Sequence, residues 1–296
     1  MVGKINIRPV ILCGGFGKRL KPISSIKKPK QFLKVLEDQS LFQSVMERVS
    51  NKSIFLEPLV ISNTIFLKNI KNDLKKTSLT AQIFLEPVSR NTATSIIISA
   101  LLANDNEYLL VLPSDHIIQN KSAFETTIEE TINELRNTNL EEKITLFGVK
   151  NDNFSENFGY FICEGQGALN KITSFIEKPS YDTFEEKLQH KNYFINSGMF
   201  LFKKEFFLKQ VQEILPNIYF NSCEAVKSLV KERGHKIVGN QIKNSPNISI
   251  DYALMENNHN LYATQLKSDW LDVGNLASFI EKISAKDLAK IIIYEM

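Results

Sequence analysis

Short apolar runs alternate with stretches of helical periodicity along the first half of the chain. Pro9 to Leu12 is continuous and apolar, the mark of a strand buried on both faces. Ser40 to Ser50 sets Leu41, Val45 and Val49 on one helical face. Pro58 to Ser62 predicts a second strand, and the segment after Asn63 is helical. Ala81 to Leu85 predicts a third strand. A helix follows over Asn91 to Ala103, capped by Asn91 or Thr92. Tyr108 to Leu112 predicts a strand ending at Pro113-Ser114-Asp115. Beyond it, Ser122 to Leu135 predicts an amphipathic helix and Ile144 to Val149 a further strand.

This βαβα order implies a mostly parallel sheet covered by helices on both faces. The second half mixes strands at Tyr160 to Cys163, Ile172 to Glu177 and Ile195 to Phe202 with helices at Thr183 to Leu188, Lys203 to Ile214 and Ser222 to Glu232. That order is less regular and points to antiparallel additions. The expected class is α/β, a Rossmann-like three-layer αβα arrangement around a mixed, mostly parallel central sheet. No repeat, low-complexity linker or composition break divides the chain. Residues 1–296 are expected to form one domain with two halves, about 1–150 and about 151–296.

Composition narrows the class. At 296 residues, 43% hydrophobic and 23% charged, the chain can bury a sizeable core and is neither disordered nor a disulfide miniprotein. Its 36 basic and 33 acidic residues leave a net charge of +3, too balanced to indicate nucleic-acid binding. Three cysteines, Cys13, Cys163 and Cys223, stand far apart with no CxxC pair, which fits a reducing cytoplasm. The apolar run near the N-terminus is too short for a signal peptide, and no stretch approaches the roughly 20 residues that span a bilayer. A soluble cytoplasmic enzyme without a membrane partner is the expectation.

The basic residues are unevenly placed. Leu12-Cys13-Gly14-Gly15-Phe16-Gly17-Lys18-Arg19-Leu20 follows the first strand, and Lys27-Lys28-Pro29-Lys30-Gln31-Phe32 adds a second cluster. Glycines let backbone N–H groups approach phosphate oxygens, and the cations suit an anionic ligand. Leu20 after Arg19 does not fit a Walker A loop or a dinucleotide fingerprint. A plain glycine turn with a solvated basic face is the less favoured alternative for the segment.

Further segments carry a resemblance. With GGFGKRLKP and KPKQF come Glu86-Pro87-Val88-Ser89-Arg90-Asn91-Thr92-Ala93, Leu112-Pro113-Ser114-Asp115-His116, Phe175-Ile176-Glu177-Lys178-Pro179, Asn196-Ser197-Gly198-Met199-Phe200, Ser249-Ile250-Asp251-Tyr252 and Trp270-Leu271-Asp272-Val273-Gly274. In this order they resemble the sugar-phosphate nucleotidylyltransferases. The EPxxRNTA and SIDY segments resemble the mannose-1-phosphate guanylyltransferase branch in particular. The likeness runs from about Pro9 to Phe279. Lys18, Lys21, Ser89, Thr94 and Asn275-Leu276 depart from the residues usual in that branch. The C-terminal β-helix and fused isomerase domain of longer relatives are not expected here.

The resemblance implies the nucleotide-diphospho-sugar transferase type of fold, Mg²⁺ as cofactor, and transfer of GMP from GTP to α-D-mannose 1-phosphate with release of pyrophosphate. A homodimer is compatible with it. Another sugar 1-phosphate or nucleotide, or a non-catalytic paralogue, are the alternatives. It implies catalytic roles for Arg19, on the β and γ phosphates, for Lys30, on the α or sugar phosphate, and for Asp115. Leu12, Gly14, Gly15, Gly17, Lys18, Ser114 and Asp115 would hold the nucleotide with Arg19 and Lys30. Glu86, Arg90, Asn91 and Thr92 would select the base, Glu86 accepting from guanine N–H groups and free N–H groups of the helix start meeting O6. Gly159, Glu177, Lys178, Asn196 and Asp272 would hold the sugar phosphate, and Asp115 and Asp272 the metal. Each has a plainer reading: Lys30 a surface lysine, Asp115 and Glu86 caps, Asp272 and Asn196-Ser197-Gly198 turns. His116 is read as packing or a hydrogen-bond donor, and Asp251 and Tyr252 as support.

Overall fold

A computed structural model describes residues 5–16, 24, 29–36, 39–77, 79–151, 153–165, 167–189, 191–256 and 258–272. The first half supplies strands β1 (Ile7–Leu12), β2 (Lys34–Leu36), β3 (Gln39–Ser40), β4 (Leu59–Asn63), β5 (Gln82–Glu86), β6 (Tyr108–Pro113), β7 (His116–Ile118) and β8 (Ile144–Val149). Between them lie helices α1 (Leu41–Arg48), α2 (Leu67–Leu74), α3 (Asn91–Leu102) and α4 (Lys121–Asn137). The second half adds β9 (Gly159–Glu164), β10 (Asn170–Glu177), α5 (Tyr181–Lys187), β11 (Tyr193–Lys203), α6 (Lys204–Ile214) and α7 (Pro216–Lys227). It ends with β12 (Val230–Glu232), β13 (His235–Ile237), β14 (Leu261–Gln265) and β15 (Trp270–Asp272).

Eleven strands form one sheet, in the order β12-β13-β5-β4-β1-β6-β11-β8-β14-β10-β9. Pairing is parallel from β13 through β5, β4 and β1 to β6, as helical crossovers require. From β6 onward it is antiparallel, except where β14 lies parallel to β8. The expected "mostly parallel" sheet therefore holds for one half only. In the other half β9 and β10 form a hairpin, and the remaining antiparallel partners are brought together from distant parts of the chain.

Alternation along the central strands feeds two cores. Val10, Leu109 and Val111 turn to one face, against Ile96 and Ile97 of α3, Phe207 and Val211 of α6 and Ile218 of α7. Ile11, Leu110 and Leu112 turn to the other, against Val45 and Met46 of α1, Ile70 of α2 and Ile128 and Ile132 of α4. Both faces of these strands are dry, so their sequences read as continuous apolar runs. At the end of the sheet where β1 starts, Arg8 is buried and pairs with Glu107 through two nitrogens while donating to the Glu57 carbonyl (2.8 Å). That clamp ties the entries of β1, β4 and β6 together.

Local chemistry sets several boundaries. Ser40 caps α1 in a reciprocal box with Gln43: its hydroxyl accepts from the Gln43 N–H (3.0 Å) and its own N–H donates back (2.9 Å). The helix expected over Ser222 to Glu232 instead starts six residues earlier and stops at Lys227. Pro216 at its first position presets helical φ. The chain after Ser228 turns at Gly234, whose φ is +77°, into the β12–β13 edge hairpin. No helix among the described residues is long and apolar enough to cross a membrane.

Glycines in the sheet and in the loop after β1 should behave differently. A Cβ at Gly148 would lie 2.7 Å from Phe161 and 2.8 Å from Phe194, so Gly148→Ala is expected to cost about 1–3 kcal/mol in urea unfolding. Nothing lies within 4 Å of a Cβ at Gly15, so Gly15→Ala should change stability by under about 0.5 kcal/mol.

Candidate active site

The parallel strands β1, β4, β5 and β6 end on one edge of the sheet, where open α/β sheets place ligands. A cleft of about 540 Å³ opens there. Leu12, Gly14 and Gly15 from the β1 loop line it, with Glu86, Asn91 and Thr92 across from them and Asp115 from the end of β6. Ser89, Ser95, Asn247 and Asp251 complete its polar wall.

The glycine loop is held by its carbonyls. Cys13 O accepts from the Ser62 hydroxyl (2.7 Å) and Leu12 O from the Ser114 hydroxyl (2.7 Å). The buried Gln31 amide donates to Gly15 O (3.0 Å) and Cys13 O (3.4 Å). Burial pushes the Cys13 thiol far above its ordinary range, so it stays protonated. Gln31 belongs to a single 3-10 turn, Lys30–Phe32, in which each side chain has its own destination. Phe32 packs on Phe42 and Phe66 in the core, Gln31 braces the loop, and Lys30 reaches Asp115. Gly17, Lys18, Arg19, Lys27 and Lys28 lie outside the described residues.

At the start of α3, Asn91 takes φ +62°, a left-handed conformation that asparagine tolerates better than most residues. Its side chain accepts from the Thr92 N–H (2.9 Å), and the Ala93 N–H donates to Ile248 O (3.3 Å). These two donors, expected to be free for a ligand, are already engaged. Thr92 in turn accepts the Ile250 N–H on its hydroxyl (2.9 Å), so the Ser249-Ile250-Asp251 segment is fastened to the helix start. The Arg90 guanidinium donates to Lys243 O (2.6 Å). Glu86 is buried, and burial pushes its carboxyl up to about 8 despite the Ser95 hydroxyl donating to it (2.8 Å).

The second centre is carboxylate. Asp115 occupies the turn between β6 and β7 and caps no helix. Antiparallel pairing of β15 with β7 sets Asp272 opposite His116. The Lys30 ammonium forms an ion pair with Asp115 and lies 3.9 Å from Asp272. His116 Nε2 is 3.9 Å from Asp115 and 3.6 Å from Asp272. Burial alone would raise the Asp115 carboxyl, but the Lys30 ammonium outweighs it and holds it well below the usual carboxylate range. Oδ1 of Asp272 is buried without a hydrogen-bond partner among the described residues. An ionised carboxylate beside a second one with an unsatisfied buried oxygen suits a small cation with oxygen ligands.

On the far side, β11 runs through the expected strand and carries a bulge between Asn196 and Phe200, where the plainer reading would have put a turn. Bulges re-aim side chains, and here the Asn196 amide donates to Asp251 (2.8 Å) while its oxygen accepts the Gly198 N–H (3.0 Å). Asp251 opens a short π-helical turn, Asp251–Met255, and lines the cleft. Burial and the neighbouring Glu177 push its carboxyl up to about 6. Glu177 pairs with Lys178, which also lies 5.8 Å from the Tyr252 ring. A Cβ at Gly159 would meet the end of the Glu177 side chain, so glycine leaves that carboxylate room in its present position.

Most of the anticipated residues thus fall around one cleft and its two flanks. Gln31, Ser95 and Asn247 were not anticipated, and Asp251 stands in the cleft wall as well as behind it. Gln31 sits inside a quoted motif, so its place beside Lys30 was a usable signal. The Glu86–Ser95 and Asn196–Asp251 contacts depend on tertiary packing and leave none.

A mannose-1-phosphate guanylyltransferase of Salmonella muenchen is 33% identical over 290 residues, covering 94% of this chain and 60% of that protein. The alginate biosynthesis protein AlgA of Pseudomonas aeruginosa is 33% identical over 291 residues, covering 94% and 59%. The chain therefore spans about 60% of the length of these curated relatives. A Helicobacter pylori structure described as mannose-6-phosphate isomerase superposes with a TM-score of 0.76 at 30% identity, over 90% of this chain and 99% of that one. A Thermus thermophilus structure described as mannose-1-phosphate geranyltransferase gives 0.77 at 25% identity, over 91% and 76%. The nucleotidyl transferase family model matches residues 8–289, and with that span and these relatives the chain belongs to the nucleotidyl transferase family.

Proposed function

We propose that the chain transfers GMP from GTP to α-D-mannose 1-phosphate, giving GDP-mannose and pyrophosphate. The observation that carries this reading is the paired Asp115–Asp272 centre, bridged by Lys30, on the flank of a glycine-loop cleft at the ends of parallel strands. The guanylyltransferase names among the relatives support the choice of substrates. The helix–sheet–helix layering is read as the Rossmann-like, nucleotide-diphospho-sugar transferase type.

In this reaction an oxygen of the sugar phosphate forms a bond to the α-phosphorus in line, and the bond from that phosphorus to the α–β bridging oxygen breaks. The leaving pyrophosphate keeps the electron pair. The nucleophile is already an anion, so no base is required. The work of the protein is to bring two polyanions together. Leu12, Gly14 and Gly15, continued by Gly17, Lys18 and Arg19, cradle the triphosphate, with Ser114 holding the loop to β6. Lys30 neutralises the charge developing at the α-phosphate. Asp115 and Asp272 would hold Mg²⁺, which when bound draws negative charge off the phosphates.

Guanine is read by Glu86 at the end of β5, with Ser95 orienting it and Asn91, Thr92 and Arg90 shaping the wall. Glu177, Lys178 and Asn196 take the mannose 1-phosphate, and Gly159 keeps the floor beside Glu177 open. Asp251 fixes the Asn196 amide.

Purified protein given GTP, mannose 1-phosphate and Mg²⁺ should release pyrophosphate, and a panel of nucleotides and hexose 1-phosphates should show this pair as the best. Absence of release with every pair would sink the reading. Asp115→Asn should lose at least about a hundred-fold in kcat, in line with loss of one preorganised electrostatic group, while still unfolding in one cooperative urea transition, at a lower midpoint because its ion pair with Lys30 is gone.

Glu86 yields a pH test. Its carboxyl is raised, so below about 8 it carries a proton, and guanine N–H donors favour the ionised form. KM for GTP should therefore fall as pH rises from about 6.5 to 8.5. In Glu86→Gln that slope should vanish, with KM at the alkaline end raised about ten-fold.

A further inference from the structure

Trp270 is the chain's only tryptophan, and it stands two positions before Asp272 on β15. Its indole N–H donates to Nδ1 of His116 (3.2 Å). The two rings meet edge to face, 5.3 Å between centroids and 86° between planes. Indole nitrogen is a donor only, so Nδ1 of His116 must accept, and a neutral imidazole that accepts on Nδ1 carries its proton on Nε2. That nitrogen is the one facing Asp272 at 3.6 Å and Asp115 at 3.9 Å.

We infer that Trp270 is a positioning residue: its indole N–H locks His116 as the Nε2–H tautomer, which sets an N–H rather than a lone pair against the two carboxylates. This builds on the proposed transfer reaction for its catalytic meaning, but the lock itself does not depend on which substrates are used. The opposite tautomer would aim a lone pair at Asp115 and Asp272, repelling them and offering a nitrogen ligand to any cation there. With the proton on Nε2, His116 supports the carboxylates and is withheld from coordination, leaving an oxygen-only set of the kind Mg²⁺ prefers.

The lock is itself held in place. Phe158 packs on the Trp270 ring at 5.5 Å and 64°. Phe158 precedes Gly159, and its carbonyl accepts the Lys178 N–H (3.1 Å). The backbone at His116 is fixed from the other side by Arg48, buried at the end of α1, which donates to His116 O (3.4 Å). The indole therefore touches both His116 and Phe158, the residue that leads into the segment of the proposed sugar site.

The test is a long-range ¹H–¹⁵N spectrum of the histidine rings in alkaline solution, with His116 assigned by its loss in His116→Asn. Wild-type His116 is expected to show a protonated Nε2 and a bare Nδ1. Trp270→Phe keeps an aromatic ring but removes the donor, and should convert His116 to a mixture of tautomers. The same variant should lose roughly ten- to hundred-fold in kcat, with KM for the nucleotide unchanged and the concentration of Mg²⁺ needed for half activity raised. A bare Nε2 in the wild-type protein overturns the inference whatever the variant does. So does a Trp270→Phe protein that is folded and keeps the wild-type tautomer, or one that keeps full kcat. If no nucleotide and sugar phosphate pair turns over in the wild type while the tautomer is as expected, the transfer reading fails and the lock stands.

Discussion

Two carboxylates held side by side in a partly dry cleft need positive charge close by, or one of them takes up a proton. Asp115 and Asp272 meet that condition through Lys30, and His116 adds a polarised N–H. The position of each group is then constrained by the others. Lys30 comes from a three-residue turn anchored by Phe32, Asp115 from the end of a central strand, and Asp272 from a short strand that reaches the site only by pairing with β7. The same balance gives the site its chemistry: an Asp115 carboxylate that stays ionised, beside a cation that can turn to phosphate.

The sheet converts this local requirement into a fold. Parallel strands deliver Leu12, Glu86 and Pro113 to one edge, and the Arg8–Glu107 clamp closes the opposite end, where no ligand group is needed. Buried ion pairs of this sort contribute little net stability, yet removing one partner is costly, so they fix an arrangement more than they strengthen it.

How much of this could be read beforehand differs by residue. β1, β4, β5 and β6 announce themselves because both their faces are dry and each carries an unbroken apolar run of three residues or more. β12, β13 and β15 are short, half-exposed and polar, so no periodicity marks them, and their pairing is set by distant partners. Lys30, Asp115 and Asp272 were legible through motif order, although no local pattern says that they meet. Arg90 was assigned to the nucleotide because it stands in the motif, and its guanidinium donates to Lys243 O. The Thr92 and Ala93 N–H groups looked free because a helix start leaves such donors open, but the Ser249-Ile250 segment and the left-handed Asn91 intervene. The raised carboxyls of Glu86 and Asp251 follow from burial, which only the packed chain defines.

β11 is the longest of the described strands, and it pairs with β6 beside the proposed nucleotide cleft, with β8, and with β9, which begins at Gly159 of the proposed sugar site. Its bulge at Asn196 to Phe200 lies between these partners, so one continuous backbone spans the gap between the two halves of the site. A strand hydrogen-bonded on both flanks behaves as a ruler. In the proposed transfer, the spacing between nucleotide and sugar phosphate would be set by this backbone, so that the second reactant to arrive would meet the first at a high effective molarity.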